Sequence, residues 1–159
     1  MKNIIIFGAN SAIALEVAKL YAVERANFYL YSRDLSVLEI NNKDLLARGA
    51  GSSKVDSFLS SNLESHKQII DKSFRDLGKV DIFLIAYGSL PNQELCEKDS
   101  LIALKELNTN GISVISLLIH AANRMESQGF GNITVITSVA GDKGRQSNYL
   151  YGSAKGMVS

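Results

Sequence analysis

Tyr151 and Lys155 stand four residues apart near the end of the 159-residue chain. On a helix, residues at that spacing are neighbours on one face, so the lysine ammonium can stabilise a tyrosinate. A free phenol titrates near pH 10, and a close cation would bring it toward neutrality as a usable acid or base. Ser138 lies thirteen residues before Tyr151, at the end of a β-rich run. Tyr149 is a rival candidate, but four residues beyond it comes Ser153 rather than a cation. By spacing alone the Tyr151/Lys155 pair is equally an ordinary surface pair, so its meaning depends on what surrounds it.

A second chemical signal is Phe7-Gly8-Ala9-Asn10-Ser11-Ala12-Ile13-Ala14, which joins a β-rich run to a helix-period run. A glycine there lets the chain reverse tightly, and the following helix offers free N–H groups and a positive dipole end to a pyrophosphate. Gly8, Asn10, Ser11, Ala12 and Ile13 are therefore candidate phosphate-binding residues. Only Gly8 survives of a three-glycine pattern, and a single glycine after a strand is more often a plain turn. Ala12 and Ala14 are the smallest substitutes, so close approach remains possible. The second β-rich run ends in Leu30-Tyr31-Ser32-Arg33-Asp34. An acid at that end would receive the ribose diol of NAD, whereas a nearby arginine accommodates a 2′-phosphate. Arg33 thus favours NADP over NAD, stacking on adenine and reaching the phosphate. The alternative is a solvated Arg33 with Asp34 turned back to the diol.

These residues need elements to position them. β-rich runs cover 3–7, 27–31, 54–59, 80–86 and 131–138, and helix-period segments alternate with them over 11–21, 63–77 and 101–125. The segment 34–48 is the weakest helix, interrupted by Asn41 and Asn42, and 49–53 reads as a loop. Several of the β-rich runs are continuously apolar, as expected for strands covered on both faces. The alternation predicts an α/β, doubly wound parallel sheet in one domain over 1–159. Gly8, Ser138 and Ala86-Tyr87-Gly88 all fall at the carboxyl ends of strands, where open α/β sheets bind ligands.

Composition narrows the class. Seventeen basic and sixteen acidic residues leave a net charge of +1, which provides no global field for nucleic acid or an anionic membrane. The single cysteine, Cys96, cannot form an intramolecular disulfide, and no Cys/His cluster has metal-ligand spacing. A cytoplasmic location and no bound metal are expected. The longest apolar stretch, 112–122, is interrupted by polar residues, whereas a membrane span needs about 20 largely apolar ones. His66, His120, Cys96, Lys143 and Arg145 read better as structural or solvated residues than as ligands.

Taken in order, the motifs resemble the short-chain dehydrogenase/reductase family along essentially the whole chain. Gly8, Ala12 and Ala14 keep the four-then-two spacing of its glycine motif. Ala86-Tyr87-Gly88 is similar to its Asn-Asn-Ala-Gly segment with the asparagines lost. Asn108-Thr109-Asn110-Gly111 is similar to the motif carrying its helix-kinking asparagine, which the three-residue offset to glycine assigns to Asn108, with Asn110 the less favoured register. Asn62 and Leu63 resemble its adenine-contacting pair, and Ser138, Tyr151 and Lys155 match its remaining catalytic positions.

The resemblance implies a Rossmann fold and reversible hydride transfer between a nicotinamide cofactor and a carbonyl/alcohol pair. Ser138 would orient the carbonyl, and Tyr151 would exchange the proton. Lys155 would lower the tyrosine pKa and hold the nicotinamide ribose, and Asn108 would hold a water linking Lys155 to solvent. Such charge placement fits the oxyanion that hydride addition creates. Members continue for about another half domain beyond the lysine, so the resemblance implies a C-terminally incomplete fold, with the substrate-binding part and a homo-oligomer interface belonging to a longer form. Two alternatives stand beside this reading. One is a catalytically silent NAD(P)-binding module. The other is an NAD-dependent sugar epimerase, which the glycine spacing disfavours.

Overall fold

The computed structural model describes residues 1–159. Its central sheet has five parallel strands in the order β3-β2-β1-β4-β5, with β1 Asn3–Phe7, β2 Asn27–Ser32, β3 Ser52–Ser57, β4 Ile82–Ile85 and β5 Asn132–Val135. Parallel neighbours cannot be joined by a tight hairpin, so each connection crosses a face of the sheet as a helix. These helices are α1 Ala12–Ala22, α2 Leu35–Ala47, α3 Leu63–Leu77, and a composite formed by α5 Ser100–Leu107, a π-helical turn Asn108–Ile112 and α6 Ser113–Gln128. Between β4 and the composite lies the short α4 Gln93–Lys98, and after β5 come a 3₁₀ turn, Val139–Gly141, and α7 Tyr149–Gly156.

Alternate residues of each strand feed opposite faces, which divides the core in two. Ile4, Ile6, Phe28, Leu30 and Leu84 meet Ala14, Ala18 and Ala22 of α1 and Leu38 and Leu45 of α2. Ile5, Phe7, Tyr29, Tyr31, Phe83 and Ile85 meet Ile70 and Phe74 of α3 and Val114, Leu117, Ala121 and Met125 of α6. Phe7 and Tyr31 stack at 4.5 Å across β1 and β2, directly beneath the turn that carries Gly8. The span Ser100–Gln128 is long and apolar enough to cross a bilayer by length and composition. In the fold its α6 face is part of the second core layer.

The expected alternation is therefore present, with differences in detail: β4 and β5 are shorter than the runs 80–86 and 131–138, and Ser138 lies beyond β5, at the head of the 3₁₀ turn. The loop expected over 49–53 gives way to β3 at Ser52, because Asn27 pairs with Ser52 in register and Ser52 Oγ donates to Asn27 Oδ1. The same strand leaves the sheet after Ser57 rather than at Leu59. The segment 34–48, weakest by periodicity, is helical because Asp34 caps α2 and Leu38 and Leu45 enter the core. The single helix expected over 101–125 is interrupted by the π turn, and α4 had no clear signal in the sequence.

Candidate active site

The order of strands reverses between β1 and β4, so the chain leaving β1 runs to α1 on one face of the sheet and the chain leaving β4 to the composite helix on the other. Gly8 sits where the chain leaves β1, with φ +85°. A Cβ on Gly8 would lie 2.5 Å from the Tyr87 amide nitrogen and 2.8 Å from the Ala86 carbonyl carbon, so only glycine lets the two loops approach. The amides of Gly8 and Ala9 both donate to Tyr31 O, which fixes the turn to β2. Asn10 extends this tie by donating to Asp34 O at 2.9 Å and accepting from Asn41 at 3.1 Å. Helix α1 starts after Ser11, whose side chain makes no capping bond, and its first backbone closure is Leu15 N to Ser11 O. Its leading amides are free to receive an anion.

A cleft of about 430 Å³ opens above these loops. Gly8, Asn10, Ser11, Ser32 and Arg33 line one side, and 58–61, 86–89, Lys105 and Thr109 line the other. Arg33 and Lys105 are its only charged residues, so the cleft suits a polyanion. Asp34 Oδ1 accepts from Ser36 Oγ at 2.6 Å and from the amides of Ser36 and Val37, and these bonds hold its carboxyl below the usual carboxylate range, with the Ser36 hydroxyl the largest cause. Ala12 and Ile13 occupy the exposed first turn of α1, beside the lining but not in it. Asn62 and Leu63 also lie outside it. Because β3 ends early, Phe58–Ser61 face the cleft, whereas Asn62 stands at the N-cap of α3 and Leu63 in its first turn.

The composite helix supplies the floor. In the π turn the Ser113 amide bonds to Asn108 O, five residues back, which adds a residue to the turn and rotates the rest of the helix. Asn110, not Asn108, is consequently carried inward, where it is fully buried. Its Oδ1 accepts from the Ser89 amide at 2.9 Å, and its Nδ2 donates to Ser89 Oγ at 3.0 Å and to Glu106 O at 3.2 Å. Asn108 remains half-buried at the start of the turn, outside the cleft lining. Gly111 lets α7 pack against the same turn, since a Cβ there would meet Ala154 O at 3.2 Å. Beside it Tyr87 donates to or accepts from Ser113 Oγ at 2.8 Å, and burial pushes its phenol pKa up.

Helix α7 brings Tyr151 and Lys155 to the far end of this floor. Its glycines face the 3₁₀ turn that Ser138 caps. A Cβ on Gly152 would fall 2.5 Å from Ala140 O, and one on Gly141 2.8 Å from Gly156 N. Ser138 is held at the head of that turn by the Ala140 amide, 3.2 Å from its Oγ. Lys155 is buried, donates to Ile136 O at 3.1 Å, and lies 5.8 Å from the centre of the Tyr151 ring. Burial lowers its ammonium pKa from the ordinary lysine value. Tyr149 is more exposed and has no cation one turn on; Ser153 Oγ donates back to its carbonyl instead.

The cleft and the Tyr151 helix meet at Gly88. A Cβ on Gly88 would stand 2.9 Å from Asn110 Oδ1 and 3.6 Å from Lys155 Nζ. The structure thus brings together Gly8, Asn10, Ser11, Arg33, Ala86, Tyr87 and Gly88 around the cleft, whereas Ser138, Tyr151 and Lys155 are not among its lining residues. Sequence reasoning missed Phe58, Leu59, Ser60, Ser61, Ser89, Lys105 and Thr109 in the cleft, and Glu106 beside Ser89. In the sequence Asn110 stood only as the less favoured register of the asparagine motif.

Comparisons with known proteins give the family and the fold. The pattern described as short chain dehydrogenase matches residues 2–159. An uncharacterized oxidoreductase of Mycobacterium tuberculosis is 32% identical over 152 residues, covering 96% of this chain and 61% of the relative. One from Streptomyces coelicolor is 28% identical, covering 97% and 61%. The chain spans about 61% of the length of these relatives. Among solved structures, NAD+-bound xylitol dehydrogenase superposes with a TM-score of 0.87 at 24% identity, covering 99% of this chain and 60% of that one. Actinorhodin polyketide ketoreductase with NADPH gives 0.87 at 21% identity, covering 99% and 60%.

Proposed function

The chain belongs to the short-chain dehydrogenase family, and from that premise we propose that it forms the cofactor-binding and catalytic portion of an NADP-dependent oxidoreductase acting on a small-molecule carbonyl or alcohol. The observation that carries this reading is the buried Lys155 ammonium one helical turn from Tyr151, beside the Gly8 cleft at the carboxyl ends of the strands. The cleft residues fit a dinucleotide. Gly8 lets the turn after β1 and the segment after β4 close on one another, the leading amides of α1 would receive the pyrophosphate charge, and Arg33 would reach a 2′-phosphate while Asp34 Oδ1 caps α2. NADPH, when bound, supplies the hydride.

The chain's own residues handle the substrate oxygen and its proton. Ser138 Oγ donates a hydrogen bond to the carbonyl oxygen and orients it. Tyr151 donates its phenolic proton to that oxygen as negative charge develops there. Lys155 favours the resulting tyrosinate by its charge. Asn110 takes the role expected of Asn108, holding a water through which Lys155 communicates with solvent.

Titration with NADPH and NADH, followed by nicotinamide fluorescence, tests the cofactor assignment; NADPH is expected to bind more tightly. With a panel of ketones and aldehydes, Tyr151→Phe is expected to abolish turnover while NADPH binding stays within about twofold. Retained turnover in that variant sinks the tyrosine assignment.

A further inference from the structure

Beneath Gly88 lies a carboxylate that takes no part in the hydride or proton transfer. Glu106 Oε2 accepts from Ser89 Oγ and from Asn110 Nδ2, the latter at 3.3 Å, while the Glu106 carbonyl accepts from the same Nδ2 at 3.2 Å. We propose that Glu106 is a positioning residue that fixes Asn110 and Ser89, so that the Asn110 carbonyl faces the Gly88–Ser89 backbone on the side of Lys155. This rests on the oxidoreductase reading for its consequence, but not for its geometry.

Donors and acceptors decide which way the Asn110 amide points. An asparagine amide can rotate by half a turn about its last bond, exchanging oxygen and nitrogen at nearly equal shape. Here both ends are specified. The Ser89 amide is a donor and requires Oδ1, and the Glu106 carboxylate is an acceptor and requires Nδ2. Ser89 Oγ accepts from Nδ2 and passes its own proton toward Glu106, which closes the ring of bonds. Without the carboxylate, Ser89 Oγ loses its acceptor and the ring opens, so Asn110 is held only by the Ser89 amide at Oδ1 and by the Glu106 carbonyl and Ser89 Oγ at Nδ2. Glu106 and Ser89 are seventeen residues apart and belong to different elements, so the same ring ties the composite helix to the loop after β4. A leucine at 106 would fill the space without an acceptor, whereas a glutamine keeps one through its Oε1.

The test reads the Asn110 side-chain amide directly in ¹⁵N-labelled protein, assigned by its absence in Asn110→Ala. Its Nδ2 protons are expected to exchange slowly with solvent in the wild type, at least tenfold faster in Glu106→Leu, and within about threefold of wild type in Glu106→Gln. NADPH affinity is expected to stay within twofold in all three proteins. In a form that turns over substrate, Glu106→Leu is expected to lower kcat at least tenfold, Glu106→Gln to recover most of that loss, and Asn110→Ala/Glu106→Leu to be no worse than Asn110→Ala. If Glu106→Leu does not fold, Ser89→Ala is expected to quicken the amide exchange at least threefold. Unchanged exchange in Glu106→Leu overturns the proposal, as does a glutamine variant as defective as leucine, or a double variant worse than Asn110→Ala. Absence of NADPH binding and turnover in the wild type sinks the oxidoreductase reading instead, and the amide exchange still decides the role of Glu106.

Discussion

Replacing Gly8 by alanine introduces two costs that the structure separates. The first is conformational: at φ +85° an L-residue has its Cβ against the following carbonyl, a penalty of about 1–2 kcal/mol. The second is contact. The added methyl would stand 2.5 Å from the Tyr87 nitrogen and 2.8 Å from Ala86 carbon and Tyr87 Cα, all backbone of the segment that continues β4, which cannot swing aside as a side chain could. Overpacking of this kind costs about 1–3 kcal/mol, giving about 2–5 kcal/mol in total for Gly8→Ala. Gly129 provides the control. It has φ +82° with nothing within 4 Å of its Cβ position, so Gly129→Ala carries only the conformational part, about 1–2 kcal/mol. For a chain of this length the Gly8 change lowers Tm by about 10 °C. Urea denaturation of the three proteins measures the stabilities, and NADPH titration of the same samples measures the effect on the cleft, where forced separation of the β1 and β4 loops is expected to weaken binding. A Gly8→Ala protein no less stable than Gly129→Ala would refute the close approach of these loops as the reason for glycine at position 8.

Arg33→Ala is expected to weaken NADPH binding by about ten- to hundredfold, the loss of one charge-assisted bond of about 1.5–3 kcal/mol, and to leave NADH within threefold. Parallel fluorescence titrations check this, and equal losses for both nucleotides would show that Arg33 does not read the phosphate. Lys155→Met tests the buried ammonium. Because burial lowers the folded pKa of Lys155 below its unfolded value near 10.4, the unfolded chain holds more protons in between, and stability rises with pH across that interval. The stability of wild type relative to Lys155→Met is therefore expected to increase as pH is raised toward about 10.4, while the variant loses turnover at every pH. Urea melts from neutral to alkaline pH measure the difference, and a flat difference would count against burial as the cause of the shift.

Local spacing made much of the fold legible. The β1–Gly8–α1 turn, the alternation that yields a doubly wound sheet, and the four-residue step from Tyr151 to Lys155 depend on residues close in sequence, where strand and helix periods dictate which side chains share a face. Gly8 could be picked out because few other residues tolerate that backbone. Arg33 could be picked out because it comes directly after an apolar strand that must end near the cleft.

The remainder was settled by contacts between distant segments. The motif's offset to glycine favours Asn108 over Asn110, but one extra residue in the π turn decides which of them faces the core, and that turn sits where the composite helix must fit both the loop after β4 and α7. Asn62 and Leu63 gave way to Leu59, Ser60 and Ser61 because pairing of Ser52–Ser57 with β2 fixes where β3 leaves the sheet. Glu106 and Ser89 carried no sequence signal at all, since hydrogen bonds between side chains on separate elements have no period. The sequence by itself determined the set of repeating elements and the residues spaced by them. Only the tertiary structure decided the register in which the loop after β4, the composite helix and α7 close on one another, because that register depends on packing and hydrogen bonding across the fold.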